Sequence, residues 1–126
     1  MGKVKGLIID DEAIIALHIA LVAKKAGIDQ TFLANNSETA IKYFDEEKPD
    51  ILFVDINLAG QVDGFDLAKL LCNKSAVPVV FISGNSEKDI KGKLTSEKLM
   101  FPFDYLVKPI DDLNLVKIVK KMMSKT

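Results

Sequence analysis

A single cysteine, Cys72, stands among 126 residues, so no intrachain disulfide can form and a reducing compartment is expected. No apolar run approaches the ~20 residues that a membrane-spanning helix requires. The N-terminal MGKVKG also lacks a signal-peptide core. Cytoplasmic residence without membrane insertion is the resulting expectation. Neither sign of charge dominates: 17 basic and 18 acidic side chains leave a formal charge of −1, which gives no general pull toward nucleic acid. Direct nucleic-acid binding is therefore not expected. Internal repeats, low-complexity tracts and linker-like stretches are missing as well. What remains is an ordinary globular composition, 48% hydrophobic and 28% charged, at a length that suits one domain over residues 1–126.

Within that domain, short apolar runs alternate with longer amphipathic ones. VKGLIID (4–10), QTFLAN (30–35), ILFVD (51–55), VPVVFIS (77–83) and FDYLVKP (103–109) read as strands. EAIIALHIALVAKKAG (12–27) reads as a helix stopped by Gly27. A second helix is capped by Asn36 or Ser37 and ended by Pro49, and a third covers 65–74. The last helix, 111–123, is expected to show Leu113, Val116, Val119 and Met123 as its apolar stripe. Between Ser83 and the last strand the chain is polar, and Gly92 weakens any helix there. Strands alternating with helices imply βαβ units, hence an α/β fold with a parallel sheet covered on both faces.

In open sheets of this kind, ligands collect beyond the carboxyl ends of the strands. Asp10 and Asp11 end the first strand, Asp55 the third, Ser83 the fourth and Lys108 the fifth, so these side chains are expected on one rim. The stretch GLIIDDE sharpens the point, because an apolar strand runs directly into Asp10, Asp11 and Glu12. Carboxylates gathered in a partly desolvated site repel one another and call for a cation. Oxygen donors without nearby histidine or cysteine select Mg²⁺ or Mn²⁺. A metal cage alone has no use for Lys108. An ammonium and the Ser83 hydroxyl beside a carboxylate-bound cation suit a phosphoryl group, with Asp55 as the nucleophile that forms an acyl phosphate.

The set IIDDE, FVDIN, FIS and YLVKP, in this order, resembles the receiver domain of two-component response regulators over essentially the whole chain. The resemblance implies a flavodoxin-like (βα)5 three-layer sandwich with a five-stranded parallel sheet. It also implies Mg²⁺-dependent phosphoryl transfer from a partner phosphohistidine to Asp55, switching a partner-binding surface. By position, Asp11 matches the direct metal ligand, Asp10 the more water-mediated one, and Asn57 the donor of a main-chain carbonyl. Ser83 matches the hydroxyl that bonds the phosphoryl group, Lys108 the family lysine and Tyr105 the aromatic switch. Lys108–Pro109 matches a cis peptide. Asn57 and Asn85 fall where acyl-phosphate lifetime is tuned. The implied partner is a histidine kinase or histidine phosphotransferase bundle docking on helix 12–26, where Ile14, Leu17 and Leu21 form either a second, exposed stripe or part of one wide buried face. The loop DINLAGQVDG departs from the common pattern, lacking its proline and running one residue longer.

Such a chain catalyses its own phosphorylation and dephosphorylation and is not a turnover enzyme. It acts alone or as part of a larger regulator. Two other classes compete: an interaction module independent of phosphorylation, opposed by the intact acidic set, and an aspartate-nucleophile phosphohydrolase, opposed by Asn57 where a second aspartate is common. His18, mid-helix among apolar residues, reads as a packed or partly exposed helix histidine and not as a phosphohistidine.

Overall fold

The computed structural model describes residues 3–57, 63–84, 91, 92, 94 and 99–124. The elements run β1 (Lys5–Ile9), α1 (Ala13–Lys25), β2 (Gln30–Ala34), α2 (Ser37–Glu47), β3 (Ile51–Asp55), α3 (Gly64–Lys74), β4 (Val79–Ser83), β5 (Phe103–Val107) and α4 (Asp112–Met123). All five strands join one sheet in the order β2-β1-β3-β4-β5, every pairing parallel. This is the flavodoxin-like order, with its topological switch point between β1 and β3.

Because side chains alternate across a strand, each central strand feeds two cores. Leu7, Ile9, Leu52, Val54 and Phe81 point to a cluster closed by Ala40 and Phe44 of α2 and by Leu67, Ala68 and Leu71 of α3. Ile8, Ile51, Phe53, Val80 and Ile82 point the other way, to Ile19, Val22 and Ala23 of α1 and to Leu115, Ile118 and Val119 of α4. The two layers of helices fix the sheet, and the sheet fixes the strand ends where polar residues emerge.

The helix ends follow local chemistry. Asn36 Oδ1 accepts from the Thr39 N–H and Asp63 Oδ1 from the Asp66 N–H, each satisfying a free donor in the first turn. α1 ends with Gly27 at φ 111°, where the Gly27 N–H bonds Lys24 O and the Ile28 N–H bonds Ala23 O.

Two sequence expectations are corrected. The buried stripe of α4 is Leu115, Ile118, Val119 and Met122, whereas Leu113 is 72% exposed. Apolar residues at 113, 115, 116, 118, 119, 122 and 123 satisfy two helical registers, and packing on the sheet selects the second. Asp10 and Lys108 also do not end their strands. Each stands on the first residue beyond, after Ile9 and Val107. Most of the segment joining β4 to β5 lies outside the described residues, as does the atypical part of the loop after Asn57.

Candidate functional site

The site sits at the switch point. β1 and β3 are neighbours with Ile9 opposite Val54, so Asp10 and Asp55 emerge side by side. Both are 2% exposed. Each folds one oxygen back onto its own backbone: Asp10 Oδ1 accepts from the Glu12 N–H at 2.8 Å, and Asp55 Oδ1 from the Asn57 N–H at 2.9 Å. The close seating of α3 supports Asp55, since Gly64 N–H donates to Ile56 O at 2.9 Å and a Cβ on Gly64 would lie 2.4 Å from Asp55 O.

From the other side, the Lys108 N–H donates to Ser83 O at 2.7 Å, which sets the lysine beside the end of β4. Its Nζ stands 2.9 Å from Glu12 Oε1, 3.3 Å from Asp55 Oδ2 and 3.7 Å from Asp10 Oδ2. Burial alone would lower the lysine's pKa, but the Glu12 hydrogen bond and the charges of Asp55 and Asp10 outweigh it and raise it, keeping the amine cationic. Asp10 moves against the usual carboxylate behaviour. Burial pushes it up to about 6 and the charge of Asp55 adds to that, while the Glu12 N–H and Lys108 oppose.

One oxygen from each of Asp10, Asp11, Glu12 and Asp55 lies within 4.8 Å of the others. Among the described residues, Asp10 Oδ2 is buried without a hydrogen-bond partner. An orphaned buried carboxylate oxygen among hard oxygen donors fits a divalent cation of the Mg²⁺ or Mn²⁺ type.

The sequence expectations are largely gathered here. Asp10, Asp55 and Lys108 converge, Ser83 joins them through its carbonyl on the Lys108 N–H, and Asp11 reaches the group from an exposed position. Asn57 meets Asp55 through its main chain. The Lys108–Pro109 peptide is cis. Tyr105 sits lower on β5, opposite Phe81 and half-buried against the α2–α3 core. Asn85 lies outside the described residues. His18 pairs with Asp112 at the start of α4. Ile14, Leu17 and Leu21 are 83%, 53% and 64% exposed, which settles them as a second stripe outside the packed face of α1. Glu12 went unrecognised as a partner of Lys108. The sequence places it in the acidic cluster of GLIIDDE but carries no signal that links it to Lys108.

Comparisons with known proteins agree with this geometry. Residues 7–120 match the family model of the response regulator receiver domain. Sensory transduction protein LytT of Bacillus subtilis is 32% identical over 117 residues, which cover 91% of this chain and 46% of LytT. A protein-glutamate methylesterase/protein-glutamine glutaminase of Archaeoglobus fulgidus is 30% identical over 103 residues, covering 82% of this chain and 29% of that protein. The chain thus spans less than half the length of these curated relatives. Among solved structures, a two-component response regulator from Clostridium difficile superposes with a TM-score of 0.82 at 30% identity, covering 98% of each chain. Chemotaxis protein CheY4 of Vibrio cholerae shares the fold at 21% identity and a TM-score of 0.77, covering 96% of this chain and 99% of that one. With its sheet order, its acidic group and its matched residues on the page, the chain belongs to the receiver-domain family of two-component response regulators, whose general function is to accept a phosphoryl group on an aspartate.

Proposed function

We propose that Asp55 is the phosphoacceptor. Receiver domains in general work with Mg²⁺ and with histidine kinases or phosphotransfer proteins. The observation that carries the assignment here is the division of labour on one buried carboxylate: Oδ1 is held by the Asn57 N–H and Oδ2 by Lys108. In the transfer, a carboxylate oxygen of Asp55 bonds to phosphorus as the P–N bond of the partner's phosphohistidine breaks, and the imidazole leaves with the electron pair. The Asn57 N–H fixes the attacking group, and the Lys108 ammonium balances charge on the phosphoryl oxygens. Ser83 supplies a hydroxyl donor, and Tyr105 follows its movement as the switch. Asp10, Asp11, Asp55 and the Asn57 main-chain carbonyl would hold the cation, which supplies further positive charge when bound. Asn57 and Asn85 set how readily water attacks the acyl phosphate; exchanging Asn85 for glutamate or lysine changes its half-life.

The partner of this reading is a histidine kinase or histidine phosphotransferase bundle seated on α1, whose Ile14, Leu17 and Leu21 offer an apolar stripe to it. The unit is one receiver domain, cytoplasmic and without turnover on external substrates. The test is incubation with Mg²⁺ and acetyl phosphate, followed by intact mass. A single phosphate adduct that disappears in Asp55→Asn supports the assignment. No adduct favours a phosphorylation-independent interaction module, and rapid hydrolysis of simple phosphate esters favours a phosphohydrolase.

A further inference from the structure

Lys108 Nζ hydrogen-bonds two carboxylates, Glu12 at 2.9 Å and Asp55 at 3.3 Å, with Asp10 Oδ2 an ion-pair partner at 3.7 Å, beyond hydrogen-bond reach. The shortest of these contacts is to Glu12, the one partner that is not part of the buried pair: the Glu12 side chain is 59% exposed, against 1% for Asp10 and 3% for Asp55. Its backbone is fixed, because its N–H is bound by Asp10 Oδ1 and its carbonyl accepts from the Ala16 N–H. Its side chain therefore swings on a stationary base and can exchange Lys108 for water at little cost. A phosphoryl group on Asp55 adds negative charge and acceptor oxygens next to an amine whose shortest hydrogen bond is to Glu12. The new charge also repels the Glu12 carboxylate. Glu12 and the phosphoryl group then compete for the same amine, and the exposed contact yields most easily.

We propose that Glu12 is a positioning residue whose carboxylate holds the Lys108 amine in the resting site and releases it when a phosphoryl group occupies Asp55. This rests on the reading of Asp55 as the acceptor and adds a fourth acidic residue with a role of its own. While Glu12 holds the amine, it competes with the incoming phosphoryl group. Removing its charge frees Lys108 for that group.

Glu12→Gln tests this at an exposed position, with beryllofluoride as the phosphoryl mimic at saturating Mg²⁺. Beryllofluoride binds the variant more tightly by up to about fivefold, the upper end of what an exposed ion pair supplies, and Mg²⁺ affinity measured by calorimetry falls by less than that. In protein labelled with ¹⁵N-lysine, the Lys108 ammonium signal, assigned by its loss in Lys108→Met, moves between wild type and variant when free. The two signals coincide in the beryllofluoride complexes, where the lysine has left residue 12. A merely structural Glu12 would not give that conditional shift. Unchanged or weaker beryllofluoride binding overturns the proposal, as does a Mg²⁺ affinity lowered more than about tenfold, which would make Glu12 a metal ligand. Wild-type protein that takes up no beryllofluoride overturns both this and the Asp55 assignment, whereas uptake by the wild type that Glu12→Gln leaves unmoved overturns this alone.

Discussion

Lys108 Nζ lies 3.3 Å from Asp55 Oδ2, bridging the end of β3 to the residue after β5 across the intervening strand β4. Among the described residues, Lys108 is the cation that braces the group of four carboxylates. Lys108→Met removes it and leaves Asp10 and Asp55 buried without compensation. The expected result is a loss of roughly 1–3 kcal/mol of stability at pH 7.5, below the range for fully buried pairs because the lysine is part-exposed. Added Mg²⁺ restores part of the loss by mass action on the folded state. Urea denaturation with and without Mg²⁺ checks both statements; a variant as stable as wild type without the cation would show that the brace carries no weight.

The shift of Asp10 gives a pH dependence of definite sign. Its folded value, about 6, lies above the ordinary 3.8, so between these values the folded chain binds more protons than the unfolded one. Stability from this group is therefore fully present below about pH 4 and is lost as pH rises through 6. At pH 7.5 Asp10 is a net cost, of order 1–3 kcal/mol from the size of the shift. Asp10→Asn keeps an oxygen for the Glu12 N–H, so it is expected to stabilise the cation-free protein at pH 7.5 and to change it little at pH 4. The same substitution weakens Mg²⁺ binding. Urea midpoints at the two pH values test the sign.

Gly64 shows how tightly the scaffold approaches Asp55. A methyl group there would stand 2.4 Å from Asp55 O and 2.7 Å from Ile56 Cα, both backbone atoms that cannot swing aside. Gly64→Ala is expected to cost about 1–3 kcal/mol through overpacking. By displacing the end of β3 it also slows phosphorylation by acetyl phosphate. A variant with wild-type midpoint and wild-type rate would show that α3 can back away freely.

Much of this was legible in the residues because the relevant signals were local. ILFVD reads as a strand buried on both faces, and all five of its residues are buried. Asp10, Asp55, Ser83 and Lys108 could be placed on one rim by the parallel-sheet rule alone, needing no side-chain geometry. Glu12 could not, because its role depends on where an exposed side chain turns and not on which strand it follows. Leu113 misled for a different reason: α4 carries enough apolar residues to satisfy two registers, and only contact with the sheet chooses between them. Tyr105 kept its position but stands lower on β5, since one strand can present side chains both to the rim and to the core below it.

The exposed stripe on α1, proposed above as the docking face, lets recognition be tested apart from chemistry. Leu17 and Leu21 are more than half exposed and stand apart from the carboxylate group. Leu17→Glu or Leu21→Glu is therefore expected to change stability by no more than about 0.5 kcal/mol. Acetyl phosphate, too small to need a docking face, should phosphorylate these variants at the wild-type rate. On the proposed docking of a phosphorylated histidine phosphotransferase bundle against this face, transfer from it is expected to slow by tenfold or so, the cost of placing one charge in an apolar contact of about 1.4 kcal/mol. Rates with both donors, measured side by side, decide the matter. Equal slowing with acetyl phosphate would mean that the substitutions disturb the site, and no slowing with either donor would move the docking face off α1.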